Sequence, residues 1–418
     1  MEQLVINGGK PLRGTVNVNG AKNAALAILP AVILSEGIST IDNLPGIEDI
    51  KNLVQIFENL GAQCTFSDKH TLTIDASTVN SRRASYGAVK RIRASYYLLG
   101  ALLGRFNEAE VAMPGGCNFG QRPIDQHIKG FMALGAKVAI NHGMVRLKAE
   151  KLVGTNIYLD VVSVGATINI MIAAARAEGT TIIENAAKEP HVVDTANFLN
   201  MMGANIKGAG TDLIRISGVN KLFGGSYTII PDQIEAGTYM IIAAATKGTV
   251  RVQNVIPKHM DSLTAKLTEM KCIIKEGEDY IEVFGPERLM PTNVKTMVYP
   301  GFPTDLQPQI IALLACAQGT GIVTENVWEN RFQYVNELKR LGCNITVEGR
   351  VAVVKGPATL SGAEVHAPDL RAGAALVVAG LAAKGTTTIM NAKQINRGYE
   401  DIEGKLSGLG ADIRKINA

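Results

Sequence analysis

The chain has 418 residues, with 42 basic against 38 acidic side chains and a formal net charge of +4. So small a charge, with no Lys/Arg block and no basic-aromatic stripe, gives no nucleic-acid footprint. Five cysteines (Cys64, Cys117, Cys272, Cys316, Cys343) make an odd set without C-x-x-C spacing. They suggest neither a disulfide framework nor a zinc site, and point to a reducing, cytoplasmic setting.

In chain order, residues 4–8 read as a lone strand without a neighbouring partner strand. The apolar run AALAILPAVIL follows and is broken by Pro30, so it is too short and interrupted to span a bilayer. From there one pattern recurs about every 70 residues: an apolar helix, a glycine stop, then a Thr/Val/Ile-rich strand ending in Asn. It is plainest in GATINIMIAAARAEGTTIIEN, EAGTYMIIAAATKGTVRVQN and RAGAALVVAGLAAKGTTTIMN. A second helix in each unit ends at LGA (60–62, 134–136, 409–411), MGA (202–204) or LGC (341–343), with MKC (270–272) as the degenerate copy. Glycine there suits a left-handed helix C-cap, and a β-hairpin comes next. Six units result, and helices apolar on nearly every face favour closed α/β domains over an open solenoid.

The sixth unit is one strand short, and residues 4–8 can supply it. This predicts one domain from 1–21 plus 230–418 and another from 22–229, with two crossings and a hinge between them.

The starts of the buried helices are polar. Asp369 and Ser163 suit N-caps there, but Lys22, Arg93 and Arg371 oppose the helix dipole and are better explained by a bound anion. Arg122, Arg331 and Arg397 open the second helices. Together these cations predict a polyanionic ligand, held in part bidentately by guanidinium groups. No G-x-x-x-x-G-K-[ST] loop, strand-linked G-x-G-x-x-G, H-E-x-x-H or G-x-S-x-G is present, so nucleotide hydrolysis and dinucleotide redox chemistry lack support. His127 and His191 read as surface or packing residues.

The segments NGAKNAAL, IRASYYLLGALLGR, PGGCNFGQRPIDQHIKGF, VSVGATINIM, IIPDQIEAGTY, PGFPTDLQPQ, ENRF, DLRAGAAL and NRGYEDI closely resemble the UDP-N-acetylglucosamine 1-carboxyvinyltransferase family, and the wording after the cysteine resembles its Gram-positive branch. The resemblance runs to about residue 413. It implies an enolpyruvyl transferase fold of two inside-out α/β barrels, each of three repeats. It also implies transfer of the enolpyruvyl group of phosphoenolpyruvate to the 3-hydroxyl of UDP-N-acetylglucosamine, as the first committed step of peptidoglycan synthesis, with no metal or other cofactor.

By the same resemblance, Cys117 is the loop acid and transient nucleophile and the target of fosfomycin, and Asp305 is the proton acceptor. Lys22, Arg122 and Arg397 bind phosphoenolpyruvate, with Asn23 and Asp369 near the reacting carbons and Arg331 and Arg371 as further cleft arginines. Arg93, the Arg122, Pro123, Ile124, Asp125, Gln126 segment, Ser163, Val164, Gly165, Asp305 and Val327 form the nucleotide side. Departures fall at Asn118, Phe119, Met132, Val161 and His191. Val161 stands where some members have a lysine, which puts one diphosphate contact in doubt.

Overall fold

The computed structural model describes residues 2–89, 93–113 and 124–417, with the backbone alone at 86, 88, 93 and 94. The chain divides into two compact units, one of Met1–Asn19 with Pro231–Ala418 and the other of Gly20–Ile230. Each unit has its own buried apolar cluster.

The described residues form six four-stranded sheets of one plan, three in each unit. In each, the strand after the buried helix pairs antiparallel with an inner strand of the same sheet and parallel with a short edge strand; Thr180–Glu184, for example, pairs with Leu213–Ser217 and with Asn156–Tyr158. The N-terminal strand Glu2–Asn7 lies antiparallel between Thr386–Met390 and Asp412–Asn417, and so completes the sixth sheet.

The helices in front of the glycine stops form the cores. In one unit these are Lys22–Val32, Tyr97–Phe106 and Val164–Ala174; in the other, Gln233–Ala245, Gln307–Leu314 and Leu370–Ala382. Nearly every residue in them is buried. An all-round apolar helix is stable only when surrounded, and the few polar groups inside these helices, such as Asn169 and Thr238, are buried and hydrogen-bonded.

The LGA-type signatures end the second helices. Gly61, Gly135, Gly203, Gly342 and Gly410 all have φ between 93° and 103°, a region that glycine enters without steric cost. The degenerate copy keeps the turn, with Lys271 at φ 75°.

A second repeated device closes the strands. Asn43, Asn185, Asn254 and Asn391, each directly after its strand, sit at φ 57–59°. Their side-chain amides donate to Ile229 O, Leu159 O, Val18 O and Ala367 O at 2.7–3.1 Å. Each carbonyl belongs to the residue following the parallel edge strand, so the asparagine staples the end of one strand to the next.

Candidate active site

In the Gly20–Ile230 unit, Lys22 is the first residue of its helix, and Ala21 before it offers no side-chain cap. Lys22 Nζ lies 2.7 Å from Asp49 Oδ2, and both residues are buried. A protein carboxylate thus meets part of the demand for an anion. Sequence reasoning misses Asp49, because an aspartate in a first helical turn also reads as ordinary dipole compensation. Asn23 beside it is half-buried.

Arg93 begins a short 3-10 turn, Arg93–Tyr96. Cys117, Arg122 and Pro123 lie outside the described residues. Ile124 precedes the helix Asp125–Ala133. Gln126 is buried and ties that helix to residue 160: its Nε2 donates to Asp125 Oδ2 (2.8 Å) and Asp160 Oδ2 (3.1 Å), and its Oε1 accepts from Asp160 N (2.9 Å). Three residues further on, Ser163 caps Val164–Ala174 by accepting from Ala166 N at 3.3 Å.

Gly165, in the first turn of that helix, is fixed by its neighbours. A Cβ there would stand 3.0 Å from His127 Nε2 and 3.1 Å from Tyr96 Oη. His127 is a packing residue: it is buried, with its ring edge-on to Tyr96 at 5.0 Å. Asn169 Nδ2 donates to Tyr96 O (2.8 Å) and lies 3.0 Å from His127 Nδ1. This assigns Nδ1 as the acceptor and leaves the proton on Nε2. Burial drives the imidazole pKa down to about 4.

In the other unit, Asp305 sits in the 3-10 turn Thr304–Leu306 that leads into the helix Gln307–Leu314. Two arginines hold its carboxylate: Arg331 Nη2 is 3.3 Å from Oδ1, and Arg371 Nη2 is 2.9 Å from Oδ2. Both arginines are 5% exposed, whereas the Asp305 side chain is 28% exposed. The carboxylate therefore faces outward from a buried cationic backing. Burial opposes the Arg371 charge, but Asp305 and, more weakly, Tyr399 and Asp232 outweigh it and push the pKa above the ordinary arginine value. Arg371 Nη1 is buried and has no hydrogen-bond partner among the described residues.

Asp369 Oδ1 accepts from Arg371 N (2.9 Å) and Ala372 N (3.1 Å), so the helix-cap reading accounts for that oxygen. Arg397 ends the 3-10 helix Ala392–Arg397 and is half-buried. Val327 is exposed, and its backbone N–H donates to Glu325 Oε1 at 2.8 Å. Sequence reasoning passes over Glu325, whose role depends on contacts distant in the chain.

An outward carboxylate on a buried diguanidinium base can accept a proton and bind a polyhydroxyl ligand. At the other helix start, Lys22 is paired with the buried Asp49. Comparison with known proteins places the chain in a family. The family model for EPSP synthase (3-phosphoshikimate 1-carboxyvinyltransferase) matches residues 6–406. The chain is 59% identical over 416 residues to UDP-N-acetylglucosamine 1-carboxyvinyltransferase 3 of Caldanaerobacter subterraneus subsp. tengcongensis, covering 100% of both proteins.

This chain belongs to the UDP-N-acetylglucosamine 1-carboxyvinyltransferase family of enolpyruvyl transferases.

A second member, from Clostridium botulinum, is 56% identical over 417 residues and is likewise covered in full. Among solved structures, the enolpyruvyl transferase NikO of Streptomyces tendae superposes with a TM-score of 0.89 at 29% identity, over 100% of this chain and 99% of that one. EPSP synthase of Acinetobacter baumannii shares the fold, with a TM-score of 0.77 at 19% identity over the whole of both chains. No helix among the described residues is long and apolar enough to cross a membrane.

Proposed function

We infer that this enzyme transfers the enolpyruvyl group of phosphoenolpyruvate to the 3-hydroxyl of UDP-N-acetylglucosamine, releasing phosphate, in the cytoplasm. The observation that carries the reading is full-length identity of 56–59% to relatives bearing that activity in their names. Intact Lys22, Cys117, Asp305 and Arg397 support it, since a binding protein without turnover need not keep them.

The reaction sets two demands. Carbon 2 of phosphoenolpyruvate becomes electrophilic once carbon 3 gains a proton, and Cys117 is the acid assigned to that step. The attacking 3-hydroxyl must give up its proton, and Asp305, half-open on its arginine base, is the acceptor. The resulting tetrahedral adduct then loses a proton from carbon 3 and expels phosphate. Lys22, Arg122 and Arg397 bind the phosphate and carboxylate of phosphoenolpyruvate, with Asn23 and Asp369 beside the reacting carbons. Arg93, the 122–126 segment, Ser163, Val164, Gly165 and Val327 receive the nucleotide.

The test is phosphate release with both substrates, using wild type, Asp305→Ala and fosfomycin-treated enzyme. Asp305→Ala is expected to lose activity by about a hundredfold or more while remaining folded. Fosfomycin is expected to inactivate the wild type by alkylating Cys117, and Cys117→Asp to turn over but resist the drug. A fully active Asp305→Ala would remove the proton-acceptor assignment, and wild type untouched at saturating fosfomycin would remove the reactive thiol.

A further inference from the structure

The strand staple described above is broken twice among the described repeats, at Met113 after the strand Glu108–Ala112 and, in the unit that carries Asp305, at Glu325. After the strand Gly319–Thr324, the position filled by asparagine in four other repeats is Glu325. Glu325 does not adopt the left-handed backbone of those asparagines, and it is fully buried.

A buried carboxylate is costly unless it is well hydrogen-bonded. Glu325 has four donors from three segments. Its Oε1 accepts from Thr296 Oγ1 (2.8 Å), Val327 N (2.8 Å) and Trp328 N (3.0 Å), and its Oε2 accepts from Thr304 Oγ1 (2.9 Å). Thr296 Oγ1 in turn accepts from Asn326 N at 2.9 Å. An asparagine could staple only the edge strand, as it does elsewhere. The longer carboxylate reaches a second loop and engages Thr304, the residue immediately before Asp305.

Thr304 is also held from its other side, because Arg331 Nη2 lies 3.4 Å from Thr304 O and 3.3 Å from Asp305 Oδ1. The turn that presents Asp305 is therefore clamped by Glu325 on the threonine hydroxyl and by Arg331 on its carbonyl. Departures from a local rule that carry a buried charge concentrate where function requires them.

We propose that Glu325 is a positioning residue that fixes Asp305 through the Thr304 hydroxyl. This rests on the reading of Asp305 as proton acceptor. The clamp acts on the placement of the carboxylate at the 3-hydroxyl, so its loss falls on kcat, while substrate contacts made elsewhere hold KM.

Thr304→Val keeps the side-chain shape and removes the hydroxyl. It is expected to lower kcat about tenfold, the scale of one charge-assisted hydrogen bond, with KM for both substrates within about twofold and a melting temperature lowered by a few degrees, because the buried Glu325 Oε2 loses this donor. Thr304→Ser restores the hydroxyl and should return kcat to within about twofold of wild type. Glu325→Gln should lower kcat in the wild-type background and lower it by less in Thr304→Val, because the Thr304 bond is the one the two substitutions share.

A wild-type kcat for Thr304→Val, a Thr304→Ser as impaired as the valine, or additive effects of the two substitutions would each overturn the proposal. Asp305→Ala separates the layers. If it is inactive beside a wild-type Thr304→Val, this inference fails alone; if it is fully active, the reading of Asp305 fails as well.

Discussion

His127 shows how a residue beside the candidate nucleotide segment shapes that segment without belonging to it. The ring fills the space that a side chain at residue 165 would need, and Asn169 fixes its tautomer. Its pKa gives a testable consequence. In the unfolded chain the imidazole titrates near 6.5, and in the fold near 4. Between those values the unfolded state binds the extra proton. Stability is therefore full above pH 6.5 and falls as the pH drops towards 4, by up to roughly 3 kcal/mol. Chemical denaturation across this range should show the slope, and His127→Gln, which keeps an acceptor for Asn169, should flatten it. An unchanged slope would place the titration elsewhere.

At the same scale, Lys22 and Arg371 mark a limit of sequence reading. A cation at a helix start signals an anion, but not whether the anion is a ligand or a carboxylate from another segment. Asp49 and Asp305 each supply part of it, and neither pairing can be read before the fold brings distant segments together.

Among the elements, the repeated signatures were the most legible part of the chain. Glycine after the second helices and asparagine after the strands both occupy left-handed backbone, where local chemistry alone explains the residue. Lys271 is the exception that tests this. Held at φ 75°, it carries strain that glycine would not, so Lys271→Gly should stabilise the Met1–Asn19/Pro231–Ala418 unit by about 0.5–1 kcal/mol. Urea unfolding measures it, and a destabilised variant would mean that the lysine side chain makes a compensating contact. The Glu325 staple was illegible for the opposite reason: its four donors come from residues 296, 304, 327 and 328, and no periodicity signals them.

For the whole molecule, the repeat count was legible because each unit must bury one helix and complete one sheet, and the shortfall in the sixth called for a strand from elsewhere. The strand Glu2–Asn7 fills that place, burying Leu4 and Ile6. Each such side chain contributes about 1.5–3 kcal/mol. Deleting residues 1–8 should therefore speed hydrogen exchange in Thr386–Met390 and Asp412–Asn417 by about tenfold or more, while the helix Val164–Ala174 in the other unit keeps its protection. Equal loss in both would contradict two separately packed cores.

The reaction itself is tested most directly by identifying the product formed from phosphoenolpyruvate labelled with carbon-13 at carbon 2, offered with UDP-N-acetylglucosamine or with shikimate 3-phosphate. The account predicts an enol ether at the sugar 3-oxygen, with one phosphate released per ether and nothing formed on the shikimate. A product on shikimate 3-phosphate, or no ether from folded enzyme that binds the nucleotide sugar, would contradict it.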